Sequence, residues 1–350
     1  MKTARDWTVI ALVSVLSALA LWLPIGMQKV YENFDGLYYV VIARSWYDKE
    51  FIGKNFAFPL PLEYYPAHFP LYPALIRLLG FVGYPNAMLA VNLIATVAAA
   101  LVIYRIFAEF KWGNPLWVSL VWLFFWPRMW AVRSVGSPET LFILWVILSL
   151  YFFQKKKYFW SGIMGALAVL TKSPGILLFP AFVLASKFDK KIWPTLLIPA
   201  ALVAVFGFYY LRTGDFLAYF HSGDNIHLQL LPFGVFDSKQ PWVGNWWLED
   251  VLWIYLIGAI GVVRAFRKSA VWGWFGAVFY TVIVFVSHRD IARYSLPIVP
   301  VVLVGLAEIL EKKEVRWALA LMLIPLYFYS LNFITHNAAT ISDWTPFFAR

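Results

Sequence analysis

Residues 8–25 read TVIALVSVLSALALWLPI, eighteen positions without a charge, and residues 34–47 read FDGLYYVVIARSWY. The first run decides the fold. A bilayer core of roughly 30 Å needs about 20 apolar residues per helix, with every backbone polar group bonded inside the segment. A membrane barrel would alternate apolar and polar residues, and neither this run nor VNLIATVAAALVIY at residues 91–104 does so. The second stretch is too polar to span and opens a loop that reaches Gly80.

The rest of the chain agrees with its opening. Its 350 residues are 62% hydrophobic and 14% charged, and the mean hydropathy is +0.69. This is the composition of an integral membrane protein, all-α and polytopic. Apolar runs between charged or Pro-rich punctuation predict eleven spans: 8–25, 86–104, 115–127, 139–153, 158–171, 175–186, 192–211, 250–263, 271–287, 294–310 and 316–332. The pair within 158–186 is short and broken by TKSPG, so it reads either as two spans or as a re-entrant hairpin. With no internal repeat or low-complexity linker, residues 1–350 form one domain. The basic start and apolar run at the N-terminus have the length of an uncleaved first span rather than of a signal core.

Charge sets the topology. With the N-terminus in the cytoplasm, the inside connections carry Lys2 and Arg5, Arg105 and Lys111, Lys155–Lys157, Lys187 with Lys190 and Lys191, Arg264 with Arg267 and Lys268, and Lys312 with Lys313 and Arg316. Every short inside connection is basic, as the positive-inside rule requires. The net charge of +10 therefore points to topology and anionic membrane lipids rather than to nucleic acid. Cysteine is absent, which removes disulfides and thiolate metal sites. Outside lie two long loops, about 29–85 and about 212–250, and the turns near Glu139, Lys172 and Arg293.

Those outer segments hold the residues with chemistry. Asp35 precedes an aromatic helical run, where its carboxylate can cap free NH groups, act as a general base, or do both. In YYPAHFPLYP, Pro66, Pro70 and Pro73 force a defined turn that presents His68, and LYPALIRLL reads as an interfacial helix with Arg77 snorkelling. Glu139 in SPETLF suits either helix initiation or an orienting contact to a sugar. Lys172, Arg289 and Arg293 stand at outer ends of apolar segments, where cations snorkel or clamp a phosphate. His221, Asp224 and His227 match no strong metal motif, and Trp242, Trp246 and Trp247 read as interface anchors or a stacking platform.

Taken together, these segments resemble the GT-C superfamily of polyprenyl-phosphate-sugar glycosyltransferases, and within it the GPI mannosyltransferase II (PIG-V) type. The resemblance rests on Phe34-Asp35-Gly36 with Tyr38-Tyr39, on His68-Phe69-Pro70-Leu71-Tyr72-Pro73 with Arg77, and on Ser137-Pro138-Glu139, Lys172-Ser173-Pro174-Gly175 and Arg293-Tyr294 in that order. It implies an inverting transfer of a hexose, mannose by the nearest type, from a polyprenyl- or dolichyl-phosphate donor to a glycolipid, glycan or protein acceptor. Asp35 would be the base, Lys172, Arg289 and Arg293 would contact the donor phosphate, and Tyr38, His68, Tyr72 and Glu139 would line the site. No cofactor and no metal is expected. The site would face the exterior of a prokaryotic plasma membrane or the ER lumen. A lipid or small-molecule transporter is the rival, and it would need ionisable residues at mid-span.

Overall fold

The structure is a computed structural model that describes residues 2–33, 35–57, 60–223, 227–243 and 248–348. Phe34, Asp224, Trp246 and Trp247 lie outside the described residues. The principal helices are α1 (Lys2–Ile25), α2 (Gly36–Ser45), α3 (Leu71–Leu78), α4 (Tyr84–Phe110), α5 (Pro115–Trp122), α6 (Glu139–Gln154), α7 (Tyr158–Thr171), α8 (Leu178–Ala185), α9 (Leu197–Thr213), α10 (Glu249–Ala265), α11 (Ala270–Phe285), α12 (Val299–Leu310) and α13 (Lys313–His336). Among the described residues no strand forms, only isolated bridges between Asn33 and Ala338 and between Leu228 and Val286.

Each predicted apolar run contains a helix, but lengths differ. Thr3–Ile25, Tyr84–Phe110, Lys190–Thr213, Ile291–Leu310 and Lys313–His336 are long and apolar enough to cross a bilayer, and Glu139–Gln154, Tyr158–Thr171, Ser173–Ala185 and Ala270–Phe285 are apolar but shorter. In the 115–127 run only the eight residues of α5 are helical. At 1.5 Å per residue they cover about 12 Å, well short of a bilayer core. The next residues, through Trp126-Pro127, leave the helix in turns, as a proline that lacks an NH requires.

Small and hydroxylated residues set the helix contacts. Ser149 and Ser161 exchange side-chain bonds to each other's carbonyls at 2.8 and 2.9 Å, locking α6 to α7. A Cβ at Gly305 would stand 2.0 Å from the Gly261 carbonyl oxygen, so α12 and α10 touch backbone to backbone, the close approach that small residues permit between membrane helices. Asn92 of α4 donates to the Val132 carbonyl at 3.2 Å and to that of Val135, and it accepts from Thr140, fixing the turn before α6.

Three of the basic connections are tied by charged and polar contacts: Glu109 pairs with Arg105 and Lys155, Glu308 pairs with Arg264 and Lys268, and Ser269 bonds Gln154. Asp35, Glu139, Lys172 and Arg293 meet apart from these contacts.

In the first long loop α2 is buried along nearly its whole length, from Gly36 to Ala43. Its residues before Arg44 are apolar or aromatic, so it packs inward against α3 and α4. The exposed side chains of Leu78 and Phe81 supply the apolar outer face instead. The Arg77 guanidinium donates to the Ala43 carbonyl at 3.1 Å and so completes the C-terminal end of α2. Gly214, at φ 75°, ends α9 in the left-handed conformation and turns the chain into the second long loop. That loop docks on the end of α11 through Gln229 N to Phe285 O at 3.0 Å, Phe233 N to Val284 O at 2.8 Å and Ser287 N to His227 O at 2.7 Å.

Candidate active site

Four charged side chains from distant parts of the sequence converge. Asp35 stands immediately before α2, Glu139 in the first turn of α6, Lys172 just after α7, and Arg293 in the short helix Ile291–Tyr294 that leads into α12. Arg293 donates from Nε to Glu139 Oε1 at 2.7 Å and from NH1 to Asp35 Oδ2. Lys172 Nζ reaches the same Glu139 Oε1 at 2.7 Å, and Ser137 Oγ donates to Glu139 Oε2. Two carboxylates and two cations thus form one neutral cluster, and the first turn of α6 favours the Glu139 anion through its free NH groups.

The cluster forms one wall of a cavity of about 350 Å³. Asp35, Lys172 and Arg293 reach its lining, together with His68, Tyr39, Tyr64, Tyr219, His227 and Tyr294. The other side is apolar: Ile176 and Leu177, Leu202 and Phe206 of α9, and Phe279, Val282, Ile283 and Val286 on and just beyond α11. The cavity therefore combines charged side chains with an apolar lining from α9 and α11. Lys172 also lies over the Tyr294 ring, 5.8 Å from its centre, a cation–π contact.

The Pro-rich turn carries His68, which lies on the cavity lining. Tyr47 and Tyr209 both donate to the His68 carbonyl, at 2.6 and 3.2 Å, so two phenols on α9 and beside α2 hold this turn. The imidazole is packed among Tyr39, Tyr64 and Tyr38, with ring centres 4.7, 5.2 and 5.8 Å away.

Other expectations change. Asp35 occupies the N-cap position of α2 but makes no side-chain capping bond; its carboxylate is drawn to Arg293 because an ionic partner outweighs a backbone donor. Glu139 is buried behind the wall and does not line the cavity. Tyr72 is buried and donates to the Met88 carbonyl at 3.1 Å. Tyr38 stands beside the cavity rather than on its lining, and burial, then the Asp35 charge, pushes its phenol up to about 12. Arg289 is exposed and is not part of the lining. Trp242 turns inward to donate to the Val235 carbonyl at 2.9 Å. His221 pairs with Asp215 at 2.6 Å, whereas His227 lies against His288 with ring centres 4.4 Å apart and the planes tilted by 39°. Among the described residues no group of three metal-ligating side chains forms.

The sequence reading missed Tyr39, Tyr64, Tyr219, His227 and Tyr294 as cavity residues. A signal existed for Tyr39. It follows Asp35 by four positions, the spacing that places two residues on one helical face.

The fold and the cluster define a multispan helical protein of GT-C-like architecture, with a cavity that combines charged and apolar side chains. Comparison with known proteins agrees at that level. The model of glycosyltransferase family 87 matches residues 65–230. Among solved structures, the chain is similar to ArnT from Cupriavidus metallidurans, crystallised bound to undecaprenyl phosphate, with a TM-score of 0.57 and 13% identity. The match covers 92% of this chain and 64% of that one, so this chain spans less than two thirds of ArnT. At this identity the likeness concerns the fold. No curated protein sequence gives a significant match.

Proposed function

We propose that this protein is an integral membrane glycosyltransferase that moves a hexose from a polyprenyl-phosphate donor to an acceptor on the outer face of the membrane. The carrying observation is the cavity itself, whose lining joins Asp35, Lys172 and Arg293 to histidine and tyrosine side chains and to an apolar set from α9 and α11. A lipid-phosphate sugar has the same polarity, charged at the head and apolar along the tail. The family 87 match over residues 65–230 supports the reaction class.

In this reading Lys172 and Arg293 bind the donor phosphate, and Asp35 is the general base. The acceptor hydroxyl oxygen attacks the anomeric carbon as the bond from that carbon to the phosphate oxygen breaks. The electron pair of that bond leaves with the phosphate, and the acceptor proton passes to the Asp35 carboxylate. A base opposite the leaving group gives inversion, so a β-linked donor yields an α-linked product. His68, Tyr39 and Tyr64 form the polar and aromatic rim against which a sugar packs. The PIG-V-like motifs favour mannose as the sugar and a dolichyl-type lipid as the carrier, and the basic connections favour a cytoplasmic N-terminus.

The test is Asp35→Asn in purified protein supplied with polyprenyl-phosphate mannose or glucose and a panel of glycolipid, glycan and peptide acceptors. Loss of at least about 100-fold in transfer, with the protein folded, is expected for removal of a general base. Near-normal transfer by the variant overturns the assignment. Wild-type protein that moves lipid-linked sugar between leaflets without forming a new glycoside would establish the transporter instead.

A further inference from the structure

The charge cluster is balanced, and that balance has a mechanistic consequence. Asp35 and Glu139 cancel Lys172 and Arg293, so an arriving phosphate meets a wall without net charge. A phosphate that takes both terminal nitrogens of Arg293 displaces the carboxylate of Asp35 from NH1. The two carboxylates are unequal competitors. Glu139 accepts three side-chain bonds, from Lys172, Arg293 and Ser137, its side chain is 2% exposed, and it stands at a helix N-terminus that favours an anion. Asp35 accepts one side-chain bond, from Arg293 NH1, its side chain is 15% exposed, and no capping bond holds it.

We propose that Arg293 is a latch shared by base and donor: in the resting protein it masks Asp35, and the donor phosphate takes the place of Asp35 on the guanidinium. Glu139 meets no substrate. It is a positioning residue that retains Arg293 and Lys172 at the wall while the exchange occurs. The base is thereby released only when a phosphate is seated, which keeps an unproductive Asp35 from engaging an acceptor in the absence of donor. The proposal rests on the functional reading above, since it takes the anion to be a donor phosphate.

The geometry makes the exchange a local event. Rotation of the Asp35 side chain breaks its bond to Arg293 and turns the carboxylate toward the cavity it already lines. No helix has to move. The Nε bond from Arg293 to Glu139 persists throughout, so the guanidinium stays in plane with the incoming phosphate and offers it two donors in fork geometry.

A thermodynamic cycle on binding tests this without requiring turnover. Undecaprenyl phosphate and, separately, inorganic phosphate are titrated into detergent-solubilised wild type, Asp35→Asn, Arg293→Gln and the double variant, each checked for a folded, monodisperse elution. The latch requires Asp35→Asn to tighten undecaprenyl phosphate binding about tenfold or more, or about 1.4 kcal/mol, because the competitor for Arg293 is gone. In the Arg293→Gln background the same change should give less than about threefold. Equal tightening in both backgrounds overturns the latch, since it would reflect only the removal of a like charge near the phosphate. Unchanged binding in Asp35→Asn, or no phosphate binding by any variant, also overturns it. Tightening by inorganic phosphate as well assigns the effect to the head group, and tightening by the lipid alone still supports the exchange with the tail needed for seating. The two readings fail separately: transfer by wild type with an additive cycle removes the latch alone, and a coupled cycle without any transfer removes the glycosyltransferase alone.

Discussion

Replacing Glu139 by Gln keeps the shape of the side chain and removes the anion that gathers two cations. In the structure the Glu139 side chain is 2% exposed, and Lys172 and Arg293 are 21% and 19% exposed. Removing one partner of a buried ionic group costs roughly 3–5 kcal/mol. Both cations retain some water on the cavity side, and Arg293 keeps Asp35, so the lower end, about 3 kcal/mol, applies. For a chain of this size about 1–2 °C is lost per kcal/mol, which gives a fall of about 3–6 °C in the melting midpoint. The kinetic consequence is separable. The variant site gains one net positive charge, so attraction of the donor phosphate persists and the donor KM stays within about threefold of wild type. The cations are no longer held in register, and kcat per folded molecule drops about 100-fold. Glu139→Asp, with its charge retained on a shorter arm, should recover part of kcat. The assays are thermal unfolding in detergent and initial-rate kinetics with a lipid-phosphate hexose, normalised to monodisperse protein. A midpoint within about 1 °C of wild type together with an unchanged kcat would refute the positioning role.

Two further outcomes follow from packing and charge. A Cβ at Gly175 would lie 2.5 Å from the Val169 backbone nitrogen, and neither backbone can yield, so Gly175→Ala should cost about 1–3 kcal/mol and weaken phosphate binding by shifting neighbouring Lys172. Gly305→Ala meets a backbone oxygen at 2.0 Å; it should lower the melting midpoint as much without changing phosphate affinity in the folded fraction. Equal loss of phosphate affinity in both variants would contradict this division. Tyr38, pushed up to about 12 by burial and then by Asp35, must regain an ordinary phenol on unfolding. Its contribution to stability is therefore complete below about pH 10 and disappears as pH rises through about 12. Melting midpoints measured against pH should show part of the alkaline decline removed in Tyr38→Phe, and identical curves for both proteins would exclude the effect.

Much of the candidate site was legible along the chain, and the exceptions share a cause. Asp35, Lys172 and Arg293 are ionisable residues at the ends of apolar runs, and a hydrocarbon environment leaves few reasons for charge there. Glu139 was found for the same reason, but its place behind the wall was not. Burial depends on what packs in front, and the side chains in front come from α2, α7 and the segment before α12. Arg289, four positions before Arg293 and identical in type, is exposed. No local pattern separates those two arginines, because the short helix Ile291–Tyr294 alone decides which one faces the cluster. The cavity aromatics stayed hidden in a chain with 19 Tyr, 19 Trp and 31 Phe.

The sequence by itself determined that this is a helical membrane protein, where its apolar runs begin and end, and which connections carry the basic residues. Hydropathy and charge bias are local properties, and the bilayer acts on them segment by segment. Only the tertiary structure decided that Arg293 bridges two carboxylates, that Glu139 anchors both cations, and that these cations share a cavity with apolar side chains of α9 and α11. Arg293 and Asp35 are 258 positions apart, and an ionic bond across that distance exists only once the intervening helices have packed.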